Sequence, residues 1–313
     1  MSAVLTTVAP IFGLIALGFA AAHFKWLSRS AGNGLAEFTF LVAMPALLFR
    51  TIVTSSMGST QPLVLLSAYF ASVTLIWAAA TIASLHFLRR PKAEGAVFAM
   101  TASYGNIVLL GIPIALAAYG DRAAPTAAII VSVHVATLWL VACVHLALAE
   151  GTSSGSSASL ARDVATEFVR NPIVVAIVLA ALWRAGGFGL HVTVDRAMAL
   201  LTQASVPCAL FAVGFTLAGF RIVGEMRTLA VSCALKNLAL PLIAWVLTFH
   251  VFALPPLSAT VITLFAAMPT GTATFLFASQ NGIAVETTSA SVALSTAVSM
   301  LTLPIVLLLL GQP

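Results

Sequence analysis

The sequence predicts an all-α membrane protein of ten transmembrane helices, arranged as two inverted five-helix repeats in which helices 4 and 9 are broken. The residues are 61% hydrophobic and only 7% charged, against about 25% charged residues in a soluble domain. Ten apolar runs are each long enough for the roughly 20 residues that a bilayer core requires. A shift of the chain by 162 positions superposes two prolines and a glycine of each half. The matched pairs are Pro10 with Pro172, Pro45 with Pro207, and Gly120 with Gly282.

Each half of the chain contains five predicted spans. In the first half they cover 3–23, 34–54, 62–87, 94–119 and 124–148. In the second half they cover 171–189, 196–219, 228–252, 256–280 and 286–310. Helices are the default because an open sheet leaves backbone groups unpaired in lipid. An odd number of spans per repeat inserts the second copy upside down, which is the architecture of secondary transporters.

The predicted organisation is a first repeat over 1–150, a cytoplasmic linker over 151–169 and a second repeat over 170–313. Lysines and arginines in the loops divide unevenly between the two sides of the membrane. The richer side carries Lys25, Arg29, Arg89, Arg90, Lys92, Arg162, Arg170, Arg221 and Arg227, and the poorer side carries Arg50, Arg122, Arg184 and Arg196. Because positive residues favour the cytoplasm, both termini are expected on the extracytoplasmic side. The basic residues form no common stripe, so nucleic acid is not expected as a partner.

Two spans carry helix-breaking residues about 13 residues, or roughly 20 Å, from their start. Span 4 contains the segment 103–113 (SYGNIVLLGIP), and span 9 contains the segment 267–272 (AMPTGT). Glycine is conformationally permissive, and proline removes a backbone donor and clashes with the carbonyl four residues earlier. Broken backbone near the bilayer midplane survives only where protein or a water-filled cavity covers it. The alternative is that these residues merely kink two membrane helices.

The predicted substrate-binding residues are polar, or lie in broken backbone, near the bilayer midplane. They are Ser103, Gly105, Asn106, Gln203, Ser205, Lys236, Pro269, Thr270, Gly271 and Thr272. Asn106 is expected to bind a carboxylate directly, with backbone amides near Gly105 and Thr270 as further donors. The alternative for Asn106 is a hydrogen bond between helices. Gln203 and Ser205 are expected to line the same cavity.

For several other intramembrane residues the sequence allows more than one role. Lys236 lies about 13 Å into span 8, where a charge costs about 3 kcal/mol or more. It could balance the helix ends at the crossing, meet the substrate, or extend to the cytoplasmic face. His134, near the middle of span 5, is a possible proton relay or a hydrogen-bonded partner between helices. The expected helix-break or hinge positions are Pro45, Gly111, Pro113 and Pro207.

Three segments resemble a known family. Residues 105–113 (GNIVLLGIP) resemble the Gly-Asn-x-Gly-Phe-x-Gly-x-Pro signature of the auxin efflux carrier family. Residues 268–274 (MPTGTAT) and Lys236 before Pro241 are similar to the family's second half. Val108 departs from the signature, which often has glycine there. The resemblance implies a scaffold of spans 1, 2, 6 and 7 and a mobile crossing domain of spans 3–5 and 8–10.

The resemblance also implies transport of organic acids such as malonate or malate, a bacterial inner membrane and a homodimer. An ion-coupled antiporter or sodium-dependent symporter of the same fold stays open as an alternative, as does a membrane-embedded enzyme or sensor. No Walker sequence is present, so nothing suggests ATP as the driving force. The three cysteines lie in apolar runs without a Cys/His cluster, so no metal or other cofactor is expected.

Overall fold

The computed structural model describes residues 2–54, 61–151, 172–219 and 224–311, and within these ranges the chain is helical, with no strand. The predicted linker 151–169 lies, except for Gly151, outside the described residues. An isolated antiparallel bridge between two extended segments is described below. The all-α class is confirmed.

The first half contains six helices. They are α1 over Ser2–His23, α2 over Arg29–Thr54, α3 over Pro62–Phe87, α4 over Lys92–Ser103, α5 over 107–119 and α6 over Ala124–Glu150. Helix α5 begins with the π-helical turn Ile107–Gly111. Span 4 is therefore interrupted between α4 and α5, where the sequence predicted a break.

The second half contains a corresponding set of six helices. They are α7 over Pro172–Ala185, α8 over Val192–Leu217, α9 over Met226–Val251, α10 over Pro256–Ala266, α11 over Ala273–Asn281 and α12 over Val285–Leu310. Span 9 is interrupted between α10 and α11. The helix bounds fall within a few residues of the predicted spans.

Within the described residues, six helical stretches are long and apolar enough to cross a membrane. They are Arg29–Thr54, Pro62–Phe87, Ile107–Glu150, Val192–Leu217, Met226–Val251 and Val285–Leu310. Shorter apolar helices are Ala9–His23, Pro172–Ala185 and Pro256–Ala266. The chain therefore has the composition and helix lengths of a multi-pass membrane protein.

Prolines in three helices directly follow a widened turn. The π-helical turns and their prolines are Thr39–Ala43 with Pro45, Ile107–Gly111 with Pro113, and Leu235–Ala239 with Pro241. In each helix, the residue before the proline donates a hydrogen bond to the carbonyl five positions back. A regular α-helix would press the proline ring against the carbonyl four positions back. The wider turn relieves that clash without ending the helix.

Two corners of the chain repeat their backbone geometry 164 positions apart. Helices α3 and α9 both end in a π-helical turn, and the next residue in each donates a hydrogen bond of 2.8 Å five positions back. Arg89 and Ala253 then adopt left-handed backbone, with φ of 53° and 44°. Pro91 and Pro255 immediately precede α4 and α10 as their N-caps. Non-glycine residues seldom have positive φ, so this shared geometry is a specific likeness between the halves.

Helix packing places the two interrupted spans against each other. Helix α1 lies along α8, and the C-terminal half of α2 lies along α7. Close approach of α1 and α8 depends on Gly18 and Gly214, where an added Cβ would collide with the backbone of the facing helix. Helix α3 packs on α4, and α9 packs on α10. Each interrupted span is therefore supported by the long helix that precedes it.

Candidate functional site at the helix breaks

The two helix breaks pair with each other through their backbones. Gly105 and Thr270 form an antiparallel bridge, which is closed by two hydrogen bonds of 2.8 and 3.0 Å. The bonds run from the amide of Asn106 to the carbonyl of Pro269 and from the amide of Gly271 to the carbonyl of Tyr104. Buried backbone groups require such partners. The bridge supplies these partners at the point where both helices are interrupted.

The bridge engages amides that the sequence reasoning expected to be free for a ligand. The amide of Thr270 donates to Ser295 Oγ at 2.9 Å, and its hydroxyl donates to the carbonyl of Thr101 at 3.0 Å. The amides of Asn106 and Gly271 are used within the bridge. The expectation that amides next to Gly105 and at Thr270 assist the ligand therefore needs correction. These groups hold the crossing together.

Lys236 occupies the interior of the crossing. Its side chain projects from the π-helical turn of α9 and is fully buried. Its Nζ donates to the carbonyl of Ala266, the last residue of α10, at 2.8 Å. The C-terminal end of a helix carries partial negative charge, so the ammonium balances that end. Extension of Lys236 to the cytoplasmic face is contradicted by its burial.

A cavity of about 270 Å³ lies beside the bridge. Its walls come from α2 and α8 on one side and from α5, α12 and the start of α11 on the other. The lining residues are Ala36, Asn106, Leu109, Ala212, Val213, Thr216, Leu217, Thr272, Val292 and Thr296. Four of them carry an amide or hydroxyl group, and none is acidic. We call this space the central cavity.

Two helix N-termini meet at the central cavity. Asn106 is the N-cap residue of α5, and Thr272 is the N-cap residue of α11. Neither side chain makes a capping hydrogen bond to its own helix. The first amides of a helix lack partners within the helix and carry partial positive charge. The geometry therefore offers an amide group, a hydroxyl group and two helix N-termini to one small anion.

Of the ten predicted binding residues, only Asn106 and Thr272 line the central cavity. Five others form the bridge or lie behind it, and the remaining three lie elsewhere. Ser103 is buried at the end of α4, and Gln203 is exposed on α8. Ser205 is buried, and its hydroxyl donates to the carbonyl of Ala43 at 2.6 Å. The expectation that Gln203 and Ser205 line the same cavity as Asn106 does not hold in this structure. Ser205 instead joins α8 to α2.

The predicted hinge residues lie in different surroundings. Pro45 and Pro113 follow π-helical turns, whereas Pro207 lies within continuous α8. Gly111 is buried, and a Cβ there would lie 3.2 Å from the side chains of Met268 and Phe265. The absence of a side chain at Gly111 thus lets α5 pack closely on the end of α10. A hinge role for these residues stays a prediction.

His134 lies behind the bridge, not in the central cavity. Its Nδ1 is 2.9 Å from the hydroxyl of Tyr69, and its ring centroid is 4.5 Å from that of Tyr104. The side chain is fully buried between α3 and the crossing. This geometry matches the hydrogen-bonded partner that the sequence left open. A proton-relay role stays a prediction.

Sequence reasoning named Asn106 and Thr272 and missed the other eight positions of the cavity wall. Ala36, Thr216 and Thr296 lie within continuous helices and break no pattern. Both threonines also donate to the carbonyl four residues earlier in their own helices, at 2.8 and 2.7 Å. Threonine often satisfies its hydroxyl in this way, so no feature of the sequence indicated that these two residues face a cavity.

Comparison with known proteins identifies the family. The chain matches the family described as “Membrane transport protein” over residues 3–307. It belongs to this family, the auxin efflux carriers. The resemblance drawn from spans 4, 8 and 9 is thereby confirmed. A protein of Rhizobium meliloti (strain 1021) named “Putative malonate transporter” is 26% identical over 302 residues, which cover 96% of this chain and 94% of that protein.

Membership of the auxin efflux carrier family establishes a multi-pass membrane protein of a transport family and points away from an enzyme. The family signature at 105–113 now has a structural meaning in this chain. It places Asn106 at the central cavity, at the start of α5. The corresponding break in span 9 places Thr272 at the start of α11, on the same cavity.

Proposed function

We propose that this auxin efflux carrier family member is a secondary transporter for small organic anions, mono- or dicarboxylates such as malonate. The observation that carries the proposal is the convergence of Asn106 and Thr272, each the N-cap residue of a half-helix, on one cavity. An anion there gains charge-assisted hydrogen bonds and two favourable helix dipoles. The name of the Rhizobium meliloti relative supports malonate as the first substrate to test.

The chemistry of the central cavity suits a short carboxylate. The Asn106 amide and the Thr272 hydroxyl are the candidate ligands, because the hydroxyls of Thr216 and Thr296 already donate to carbonyls of their own helices. The remaining lining residues are apolar. A volume of about 270 Å³ accommodates a small organic acid with some water. Lys236 lies behind the bridge, and its positive charge adds to the potential at the crossing.

The proposed architecture is two inverted five-helix repeats with both termini outside the cytoplasm. Three observations support it: the corners at Arg89 and Ala253 share their geometry, α1 lies along α8 as α2 lies along α7, and Ser205 contacts Ala43. If the two repeats are exchanged, span 1 becomes span 6 and span 7 becomes span 2. The contact of α1 with α8 then becomes the contact of α7 with α2. That is the relation a pseudo-two-fold axis in the membrane plane produces.

The origin of the cavity walls supports alternating access. Residues of α2 and α8 form one wall, and residues of α5, α11 and α12 with their N-caps form the other. In our proposal, α1, α2, α7 and α8 are the scaffold, and the remaining helices move relative to it with the substrate. Such movement exposes the same site to either side of the membrane in turn. The central cavity is complete within one chain, so the homodimer implied by the family is not required for binding.

The test is transport by the purified protein in proteoliposomes. Radiolabelled malonate, malate, acetate and indole-3-acetate are offered with and without pH and sodium gradients. We expect saturable uptake or exchange of at least one carboxylate, with recovered label chemically unchanged. Stimulation by one gradient identifies the coupling ion and selects the ion-coupled alternative. Absence of carboxylate transport under all conditions, or chemical conversion of the label, contradicts the proposal.

A further inference from the structure

We propose that the loop between α1 and α2 and the end of α8 form a cationic vestibule, in which Lys25 and Arg29 attract the anion and deliver it to the central cavity. This inference rests on the proposed function. It assigns a role to two residues outside the crossing and predicts the face from which the anion enters. The substrate class it favours is an anion with two negative charges.

The vestibule is a second cavity, of about 610 Å³. Lys25, Ser28, Arg29 and Asn33 form one side, and Phe215 and Thr216 at the end of α8 form the other. Thr216 also lines the central cavity. The two cavities therefore lie next to each other on α8, with the Phe215 ring packed against α2 at Gly32.

The charged side chains that line the vestibule, Lys25 and Arg29, are both positive. Lys25 and Arg29 are exposed, and neither belongs to an ion pair among the described residues. Among the described residues that line this cavity, none is acidic. Ser28 accepts a hydrogen bond from the amide of Ala31 and caps α2. The positive end of the α2 dipole thus adds to the two side-chain charges.

The conformation of Lys25 is a further specific feature. Its φ of 58° lies in the left-handed region, which non-glycine residues seldom occupy. Trp26 and Leu27 then donate backbone hydrogen bonds to the carbonyl of Ala21, which turn the chain from α1 toward α2. This turn holds Lys25 and Arg29 on one cavity instead of directing them to separate sides of the loop.

Steering by exposed charges has a distinct kinetic signature. Fixed positive charge in a cleft raises the local concentration of an anion, so it lowers KM without changing the maximal rate. The effect grows with substrate charge and is screened as ionic strength rises. By the distribution of basic residues, the vestibule faces the cytoplasm. The effect is therefore expected for substrate arriving from that side.

The test compares KM in inside-out membrane vesicles, which present the cytoplasmic face to the medium. The double variant Lys25→Gln/Arg29→Gln is assayed with labelled malonate and acetate at ionic strengths of about 0.01 and 0.15 M. At low ionic strength we expect the KM for malonate to rise about threefold to tenfold, with an unchanged maximal rate. The change for acetate is smaller, and higher salt narrows the difference between variant and wild type.

The matched control is Arg89→Gln/Lys92→Gln. Arg89 shares the left-handed conformation of Lys25, and Lys92 begins α4 as Arg29 begins α2. Both lie on the same predicted face, outside either cavity, so this control is expected to keep the wild-type KM. If the wild type transports and the vestibule variant keeps the wild-type KM, the vestibule proposal is overturned and the proposed function stands. The same holds if the KM of the control variant rises as much as that of the vestibule variant. No carboxylate transport by the wild-type protein overturns the proposed function and this inference together.

Discussion

Ser205 and Ala43 are separated by 162 positions, and the hydroxyl of Ser205 donates a 2.6 Å hydrogen bond to the carbonyl of Ala43. The same shift superposes Pro10 on Pro172 and Pro45 on Pro207. Residues that are equivalent in two repeats can touch only near the axis that relates the repeats. This bond therefore supports an axis between α2 and α8, beside the central cavity.

Membrane topology follows from the proposed inverted repeat. In a variant with Cys143, Cys208 and Cys233 replaced by serine, Gly189→Cys lies in the loop between α7 and α8, and Lys92→Cys lies at the start of α4. We expect an impermeant thiol reagent to label Gly189→Cys but not Lys92→Cys in intact cells, because these loops lie on opposite sides. Labelling after cell disruption controls for reactivity. The reverse pattern contradicts the topology.

Lys236 is expected to be required for transport. Lys236→Gln removes the charge that balances the end of α10 at Ala266, so we expect transport to be lost while the protein still inserts and purifies. Lys236→Arg keeps the charge but changes shape and donor geometry, and we expect partial activity. Uptake by proteoliposomes, with Lys92→Gln as a control for loss of one positive charge, measures the effect. Full activity in Lys236→Gln contradicts a role in transport.

Asn106 is expected to contribute directly to substrate affinity. A hydrogen bond to a charged group contributes roughly 1.5–3 kcal/mol, so Asn106→Ala should weaken carboxylate binding about 10- to 150-fold. Asn106→Asp should weaken it further, because it places a negative charge beside the anion. Affinity and thermal stability are measured on the purified variants. Asn281→Ala, at the far end of α11, is the matched control.

Unchanged affinity in an unstable Asn106→Ala variant would make Asn106 a structural tie between helices. That outcome would remove it from the binding site. Loss of affinity at preserved stability supports direct contact.

The contact between Arg90 and Glu225 predicts a pH dependence at the membrane surface. Hydrogen bonding from Thr228, and then the charge and hydrogen bond of Arg90, lower the pKa of Glu225 from its usual 4.5. A lowered folded-state pKa stabilises the fold above pH 4.5, and this contribution is lost as the pH falls through the folded-state pKa. We expect Glu225→Gln to be slightly less stable than wild type at neutral pH. This difference in stability should disappear below pH 4.5.

Thermal unfolding in detergent across this pH range measures the difference in stability between wild type and Glu225→Gln. Glu37→Gln is the control, because Glu37 is exposed and forms no ion pair among the described residues. A gap between wild type and Glu225→Gln that is constant with pH contradicts the prediction.

Local chemistry was sufficient to predict the helices and their breaks. Apolar run length set the helix bounds, and Gly105, Asn106, Pro113 and Pro269 marked the interruptions. These signals act within one turn of helix. They can therefore be recognised in the sequence without knowledge of the tertiary fold.

The pairing of distant segments was not predictable in the same way. Whether the amide of Thr270 is free depends on Ser295, 25 positions later. Whether Ser205 faces the cavity depends on Ala43, in the other half. Thr216 and Thr296 reach the cavity only because α8 and α12 are rotated toward it. Such orientations are decided by packing, which a single apolar helix sequence leaves open.

The most direct test of the central claim is substrate protection of a cysteine in the central cavity. Thr272→Cys is placed in the background lacking native cysteines, and Ser279→Cys, exposed on the same helix, is the control. The rate of modification by a small water-soluble thiol reagent is measured with and without malonate, or with whichever carboxylate is transported. We predict that the substrate slows modification of Thr272→Cys and leaves that of Ser279→Cys unchanged. Equal rates at Thr272→Cys with and without a transported substrate would contradict the assignment of the binding site.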